Sequence, residues 1–279
     1  MLFLTVAATA GGLLFAPMAA QNALATIAAV GATRIEAEYE AITPVPWLGR
    51  HRTASASLTA DLSTGRYRIA VNSRAEGFVD WFVDTSTAIV ATGLVTPYGL
   101  QPLRYDSSVQ DGAKHRRVLI DFTPGEVLVS VSPKYGDWGF PATTPPQKLE
   151  ATDPLTAILN MTVRASATPS NPCGGPLRIF DGKQRYDLRL RYNARLNWDT
   201  DVYKGPAIRC DVDYVEIAGF DPKSAQEKED DREDIRWANI VLAELLNGRL
   251  TPPLQAELRS NRSGKYTVQA TRLSYSRAR

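Results

Sequence analysis

Apolar and polar residues alternate along most of this chain with a period of two. In Arg34–Ala41, Ile35, Ala37, Tyr39 and Ala41 fall on one side of an extended backbone, and Arg34, Glu36, Glu38 and Glu40 on the other. Successive strand side chains point to opposite faces, so this pattern predicts a strand with one wet face. It recurs in Gly65–Arg74 (Tyr67, Ile69, Val71), in Lys183–Tyr192 (Tyr186, Leu188, Leu190, Tyr192) and in Lys265–Leu273 (Tyr266, Val268, Ala270). Further strands are predicted over Ala54–Asp61, Phe78–Val90, Leu103–Gln110, His115–Phe122, Glu126–Ser132, Leu177–Phe180, Cys210–Ile217 and Leu254–Arg259. Turn-forming pairs such as Asp111-Gly112, Pro124-Gly125, Asp181-Gly182 and Ser263-Gly264 separate them. Residues 235–247 fit two periods. Ile235, Trp237, Asn239, Val241 and Ala243 suit a strand, while Trp237, Val241 and Leu245 suit a helix; the strand is favoured. The fold class expected is mainly β: a curled antiparallel sheet, open barrel or sandwich of roughly 11–13 strands with one short helix.

That helix is predicted over Asp153–Val163. Asp153 is a capping residue, and Pro154 follows where its missing N–H costs nothing. Leu155, Ile158, Leu159 and Thr162 then share one face, which would lie across a sheet. Two stretches lack periodicity. Pro133–Ala151 is rich in Pro, Gly and Thr, holds Trp138 and Phe140, and leads to the helix as a long connection. Asp221–Asp234 is a charge run suited to a solvated loop. No repeat or low-complexity linker divides the chain, so one β-rich domain is expected over residues 33–279, with two sheet lobes joined near residues 133–165 as a variant.

The N-terminus changes the picture of where the protein works. Residues 1–33 contain no Asp, Glu, Lys or Arg. Met1–Ala16 is almost wholly apolar, Pro17 interrupts it, and Ala23-Leu24-Ala25 fits the small-x-small rule of signal peptidase. The apolar stretch is shorter than the ~20 residues a spanning helix needs. A signal peptide over residues 1–25 and a periplasmic mature chain from Thr26 are therefore expected, although the usual basic n-region is missing. No cysteine follows the apolar stretch, so no lipid anchor is expected. The two cysteines, Cys173 and Cys210, agree with export. In an oxidising compartment such a pair suggests a disulfide, closing a loop of about 37 residues.

Composition narrows the functional classes. The chain has 279 residues, 44% hydrophobic and 22% charged, which excludes a disordered chain, a collagen-like fibre and a polytopic membrane protein. Its 32 basic and 30 acidic residues give a net charge of +2, without the strong basic field of a nucleic-acid binder.

Several motifs occur together in order. They are Gly93-Leu94 with Pro97 and Tyr98, Thr152-Asp153-Pro154-Leu155-Thr156-Ala157-Ile158-Leu159, Cys173, Phe180-Asp181-Gly182-Lys183-Gln184-Arg185-Tyr186-Asp187-Leu188, and Cys210 with Tyr214, Ala218 and Gly219-Phe220. They resemble the GL-x-P-x-x-Y turn, the DPLSALL segment and the DGKRRYDL strand of the domain-of-unknown-function 3108 family. The likeness covers most of residues 33–275, and its specific part is about residues 152–220. Leu250-Thr251-Pro252-Pro253-Leu254 departs from the family's usual lPv segment. The resemblance implies an exported bacterial envelope protein of mainly β structure, without an assigned reaction. The motif residues Asp153, Pro154, Leu155, Asp181 and Gly182 also make architectural sense. Asp153-Pro154 starts a helix, and Asp181-Gly182 suits a two-residue hairpin turn with positive φ at both positions. The cysteines would staple that hairpin to the strand at Cys210.

Candidate chemistry is sparse. His51 and His115 stand beside arginines and in no two-ligand spacing, so no metal site is expected. There is no GxSxG elbow, SxxK motif, Walker loop or dinucleotide fingerprint, and no cofactor is expected. Carboxylates are available at Asp80, Asp84, Asp121, Asp137, Asp181, Asp211 and Asp213. Asp211 and Asp213 share a strand face about 7 Å apart, where an exposed, solvated role is favoured. Trp81, Trp138 and Trp198 are candidate ligand-lining residues, with core packing as the alternative. Lys114, His115, Arg116 and Arg117, and Arg185, Arg189 and Arg191, form a basic stripe. It suits a solvated face paired to acids, or contact with anionic lipid or polysaccharide. The function expected is a non-enzymatic envelope binding protein for a lipid, a lipoprotein or a cell-wall component. Its site would lie on the concave side of the sheet under the helix, with peripheral contact to membrane or cell wall and no nucleic-acid partner. A structural partner using an exposed strand edge and an envelope hydrolase with dispersed carboxylates are the alternatives.

Overall fold

Alternation as persistent as this builds long antiparallel strands, and the computed structural model joins them in one open sheet. It describes residues 26–28, 31–45, 49–76, 85–164, 167–168, 170–222, 235–260 and 264–277. The strands are β1 (Thr33–Val45), β2 (Gly49–Leu62), β3 (Arg66–Ala75), β4 (Thr85–Thr96), β5 (Gly99–Asp111), β6 (Lys114–Thr123), β7 (Glu126–Ser132), β8 (Leu177–Phe180), β9 (Arg185–Asp199), β10 (Lys204–Ala218), β11 (Ile235–Ala243), β12 (Pro253–Ser260) and β13 (Gly264–Arg277). Helix α1 (Pro145–Leu149) and helix α2 (Pro154–Thr162) lie between β7 and β8. The predicted signal segment over residues 1–25, Asp80, Trp81, Asp84 and residues 223–234 of the charge run lie outside the described residues.

The strand order β7-β6-β5-β4-β3-β2-β1-β13-β12-β11-β10-β9-β8 is two meanders back to back. The first steps outward from β1 to β7, and the second steps back from β8 to β13. They meet at the centre, where β13 pairs antiparallel with β1 through Ile35↔Tyr275 and Ala37↔Leu273. The two lobes considered above are thus halves of a single sheet. Sheets of this width curl, and this one does so without closing into a barrel.

The chain between β7 and β8 spans the gap between the sheet's two edges. Helix α1 packs against β7. Thr152 then pairs in parallel with Ile179 of β8, donating its N–H to Arg178 O at 2.9 Å and accepting the N–H of Phe180 at 2.9 Å. Gly182, at the turn after β8, stands so close to β6 that a Cβ there would lie 2.4 Å from Val118 Cγ1.

Helix α2 fills the interior of the curl. One cluster of buried side chains joins Leu155, Leu159 and Val163 to Ile35, Leu62, Tyr67, Ile69, Ile120 and Phe180. A second joins Ala157 and Met161 to Leu177, Ile179, Leu190, Ile208 and Leu242 around the disulfide. The periodicity predicts a single buried face; the helix instead lies between two half-sheets and buries residues on both sides.

Three further differences from the sequence expectations have local causes. Of the strand predicted over Phe78–Val90, Phe78–Asp84 lies outside the described residues, and the described part runs on past Val90 to Thr96, because Gly93 stays in the ladder opposite Tyr67 and Pro102. Residues 235–247 are a strand as far as Ala243, and the helix-like spacing beyond it is a turn in which Leu246 and Asn247 take φ of 52° and 58°. Besides the predicted helix there are α1 and one helical turn at residues 26–28. The capping box Thr144/Gln147 and Pro145 start α1 inside what reads as an irregular connection.

Candidate functional site

The position of α2 is set by a buried polar anchor. Asp153 caps the helix, accepting from Thr156 N (2.9 Å) and Thr156 Oγ1 (2.5 Å). Thr156 Oγ1 also meets the Tyr67 hydroxyl of β3 at 2.7 Å. Farther along, Asn160 Oδ1 accepts from Leu100 N (2.9 Å), and Thr251 Oγ1 donates to Met161 O (2.9 Å). Burial pushes the Asp153 carboxyl up to about 6, against the partial relief of its hydrogen bonds from Thr156. Burial likewise raises the Tyr67 and Tyr105 phenols and the Asp181 carboxyl.

Below the anchor the helix leaves an apolar groove on one side. Ala157, Ile158 and Met161 form its roof, and the inner faces of β8 to β13 form its walls. Ladder register places Ala41, Val268, Ala256, Ile240 and Cys210 in one row across β1, β13, β12, β11 and β10. Tyr266, Leu258 and Ala238 make the next row. Leu177, Ile179, Leu188, Leu190 and Val212 complete a cavity of about 460 Å³. Two of the polar side chains at its margin are engaged elsewhere. Glu257 accepts from Gln255 (3.1 Å) and pairs with Lys265, and Thr267 Oγ1 accepts from Arg50 (2.8 Å).

The Cys173–Cys210 disulfide, with Cα atoms 6.0 Å apart, ties the segment before β8 to β10 within the second cluster, which shares Leu177, Ile179 and Leu190 with the groove. The groove's wall is thus held by a covalent tie beside it. A buried cation holds its neighbourhood from below. Arg185 is 2% exposed and meets Asp187 at 2.5 Å and Glu150 at 3.3 Å, while donating to Tyr186 O at 2.8 Å. Through Glu150 it connects the start of β9 to the entry of α2.

A model of the family described as "Protein of unknown function (DUF3108)" matches residues 47–236, most of the chain and every motif quoted above. The chain belongs to the DUF3108 family. No curated protein matches it. Among solved structures it is similar to the crystal structure of a beta-barrel-like protein of the domain of unknown function DUF1849 from Brucella abortus. The TM-score is 0.48 and the identity 11%, over 88% of this chain and 98% of that one.

Seen in this DUF3108 fold, the motif residues are joints. Asp153 and Pro154 start α2, and Leu155 is buried in the main core. The Asp181-Gly182 turn is wider than the two-residue hairpin expected. Phe180 pairs with Arg185, and of the pair only Gly182 takes a positive φ, 105°. The reason is the Asp181 carboxylate, whose Oδ1 accepts from Lys183 N (2.9 Å) and Gln184 N (2.7 Å) and so stabilises a four-residue loop.

Of the candidate ligand-lining tryptophans, Trp138 and Trp198 do not line the groove, and Trp81 lies outside the described residues. Trp198 packs against the main core, and Trp138 sits in the loop after β7, edge-on to Tyr135. Asp211 and Asp213 are solvated partners on the outer face: Asp211 accepts from Asn193 (3.0 Å) and Asp213 pairs with Arg191 (3.1 Å). In the basic stripe, Arg117 pairs with Asp106 at 2.6 Å and His115 bonds Ser108 at 2.8 Å, whereas Arg185 leaves the wet face and is buried. Among the described residues no group of three His, Cys, Asp or Glu side chains is placed to hold a metal ion.

A larger depression of about 730 Å³ lies on the outer face of β1–β6, lined by Ser55, Ser57, Asn72, Ser86 and Ser108 among others. Several of its charged groups are paired, Glu76 with Arg52 at 2.9 Å and with Arg74 at 3.2 Å, and Glu38 with Arg272 at 3.2 Å. It is therefore read as a hydrated surface. The groove residues left unnamed by the sequence patterns include Met161, Val212, Ile240 and Leu258. Their signal was the inward set of each alternation, but only the register shows which inward sets are left uncovered.

Proposed function

We propose that this DUF3108 protein is an exported, non-enzymatic envelope protein that holds an acyl chain in the groove beneath α2. The observation that carries the reading is the groove itself, apolar, roofed by a helix and within the ~300–1,000 Å³ range of small-molecule sites. A chain of methylenes is the ligand such a wall suits, since each buried CH₂ contributes about 0.8 kcal/mol and asks for no hydrogen bond. The disulfide fits an oxidising compartment and the expected signal peptide.

The two rival readings have less support. A glycosidase needs two facing carboxylates, and among the described residues the groove carries one, Glu257, already paired with Lys265. Strand addition needs an open edge; Thr152 occupies the edge of β8, and α1 packs on β7.

The test is binding of an anthroyloxy-labelled stearate. The wild-type protein should bind it saturably, with displacement by unlabelled fatty acid. Val268 is 44% exposed at the groove, so Val268→Glu should fold normally. It should weaken binding by about tenfold or more, because an unpaired charge beside an acyl chain costs at least the 1.4 kcal/mol that tenfold represents. Equal affinity in the two proteins would contradict the reading.

A further inference from the structure

The loop between β7 and α1 presents two large aromatic side chains to solvent. Phe140 is 80% exposed and Trp138 42%. Exposed large aromatics that cluster mark contact sites. The backbone beneath them is fixed. Phe140 N donates to Phe220 O (2.8 Å), Gly219 N donates to Pro141 O (2.8 Å), and Gly139 N donates to the Asp137 carboxylate (2.7 Å). Gly139 takes a φ of 78°, and a Cβ there would lie 2.2 Å from the carbonyl carbon of Gly219. The aromatic tip is therefore displayed by close packing of two backbones.

Its electrostatics point to one class of partner. The Arg116 guanidinium lies 4.8 Å above the Tyr135 ring, the Lys183 ammonium 5.7 Å from it, and Trp138 meets the same ring edge-on at 5.3 Å. Lys134 is exposed in the loop itself. The acids nearby are engaged: Asp137 with Gly139 N and Asp221 with Lys183 at 2.8 Å. Aromatic side chains beside cations suit the interfacial zone of a bilayer, where rings sit at headgroup level and cations meet lipid phosphates.

The tip is also continuous with the groove. Phe220, bonded to Phe140, meets the Tyr214 ring edge-on at 6.2 Å, and Tyr214 meets Tyr186 at 5.2 Å. Tyr186 pairs with Ile179 and Tyr214 with Leu188, both of which line the groove.

We propose that the Tyr135–Phe140 loop docks this protein on an anionic lipid surface, with Phe140 and Trp138 entering the headgroup zone and Arg116 and Lys134 facing phosphates. The docking stands on the loop alone. That it places the groove to receive a chain along the Phe220–Tyr214–Tyr186 path rests on the acyl-chain reading above.

The experiment is sedimentation of the full mature protein with vesicles of phosphatidylethanolamine and phosphatidylglycerol, and with vesicles of phosphatidylcholine alone. The wild type should sediment with the anionic vesicles and less with the neutral ones. Phe140→Glu should partition about tenfold less, a change worth 1.4 kcal/mol. Lys134→Glu should weaken binding to the anionic vesicles and change it little on the neutral ones. Stearate-probe binding by Phe140→Glu without vesicles should equal wild type. Val268→Glu should sediment normally while losing the probe, so docking and the groove fail separately. Wild-type protein that stays in the supernatant, or Phe140→Glu that sediments like wild type, would overturn the proposal. Sedimentation lost in Val268→Glu and kept in Phe140→Glu would also overturn it, by assigning membrane contact to the groove.

Discussion

Serine at both Cys173 and Cys210 is expected to lower the melting temperature by roughly 10 °C or more. The bridge closes a loop of 37 residues. The chain-entropy argument assigns such a loop about 4 kcal/mol, and each kcal/mol moves the melting point of a chain this size by about 2–4 °C. The local consequence is larger than the global one. Strand β8 has four residues, one ladder partner in β9 and a single bridge at Thr152. Without the disulfide, Leu177 and Ile179 lose their covalent tie to β10, and the groove loses definition with them. Calorimetry of the serine pair beside wild type, with and without reductant, measures this. Equal melting temperatures in all samples would show that the bridge contributes nothing.

Acidification from pH 7 to pH 5 is expected to stabilise the protein through Asp153. Its carboxyl is held at about 6 by burial, against about 3.9 when unfolded. Between those values the folded chain binds more protons than the unfolded one. Stability therefore falls as pH rises through that window and gains as pH falls through it. Between pH 7 and pH 5 this is worth about 1 kcal/mol, of the roughly 3 kcal/mol that separates the two values at 1.36 kcal/mol per unit. Asp181, also raised by burial, acts in the same direction. Glu36, Glu76 and Asp106 are lowered by hydrogen bonds, first from Arg34, Ser55 and Arg117 respectively. Their contribution is full above the ordinary carboxyl values near 4 and is lost as pH falls from there through their own depressed values, so the two groups of carboxyls do not cancel above pH 5. Asp153→Asn keeps a capping oxygen for Thr156 N and removes the titration. Melting curves across pH 4.5–7 should therefore be flatter in this variant than in wild type. An identical slope in both would place the pH dependence elsewhere.

Much of this architecture was legible before any coordinates. Period-two patterning located strands such as β1, β3, β7, β9 and β13, because one face of each is buried and the other wet. Asp153-Pro154 located α2 because capping is chemistry local to the sequence. The disulfide was legible because two cysteines allow only one pairing within the chain.

What the sequence left hidden was non-local. Tyr67 and Thr156 meet across 89 positions. Arg185 alternates with Asp187, Arg189 and Arg191 like an outward residue, yet it is buried because Glu150 approaches from the helix entry. The groove is the same kind of fact. Ile240, Leu258 and Val268 look like any strand residues facing a core. Only the register of β10–β13 and the position of α2 leave them lining a space. Trp198 shows the converse: a side chain suited to a binding surface is used in packing when its strand end faces the main core.

The central claim is that the space beneath α2 holds an acyl chain. Native mass spectrometry of the protein purified from cells without denaturation, followed by organic extraction, tests it most directly. The result expected is a population heavier than the polypeptide by the mass of a lipid, with that lipid recovered in the extract and absent from Val268→Glu. A bare polypeptide mass with nothing extractable, in wild type and variant alike, would contradict it.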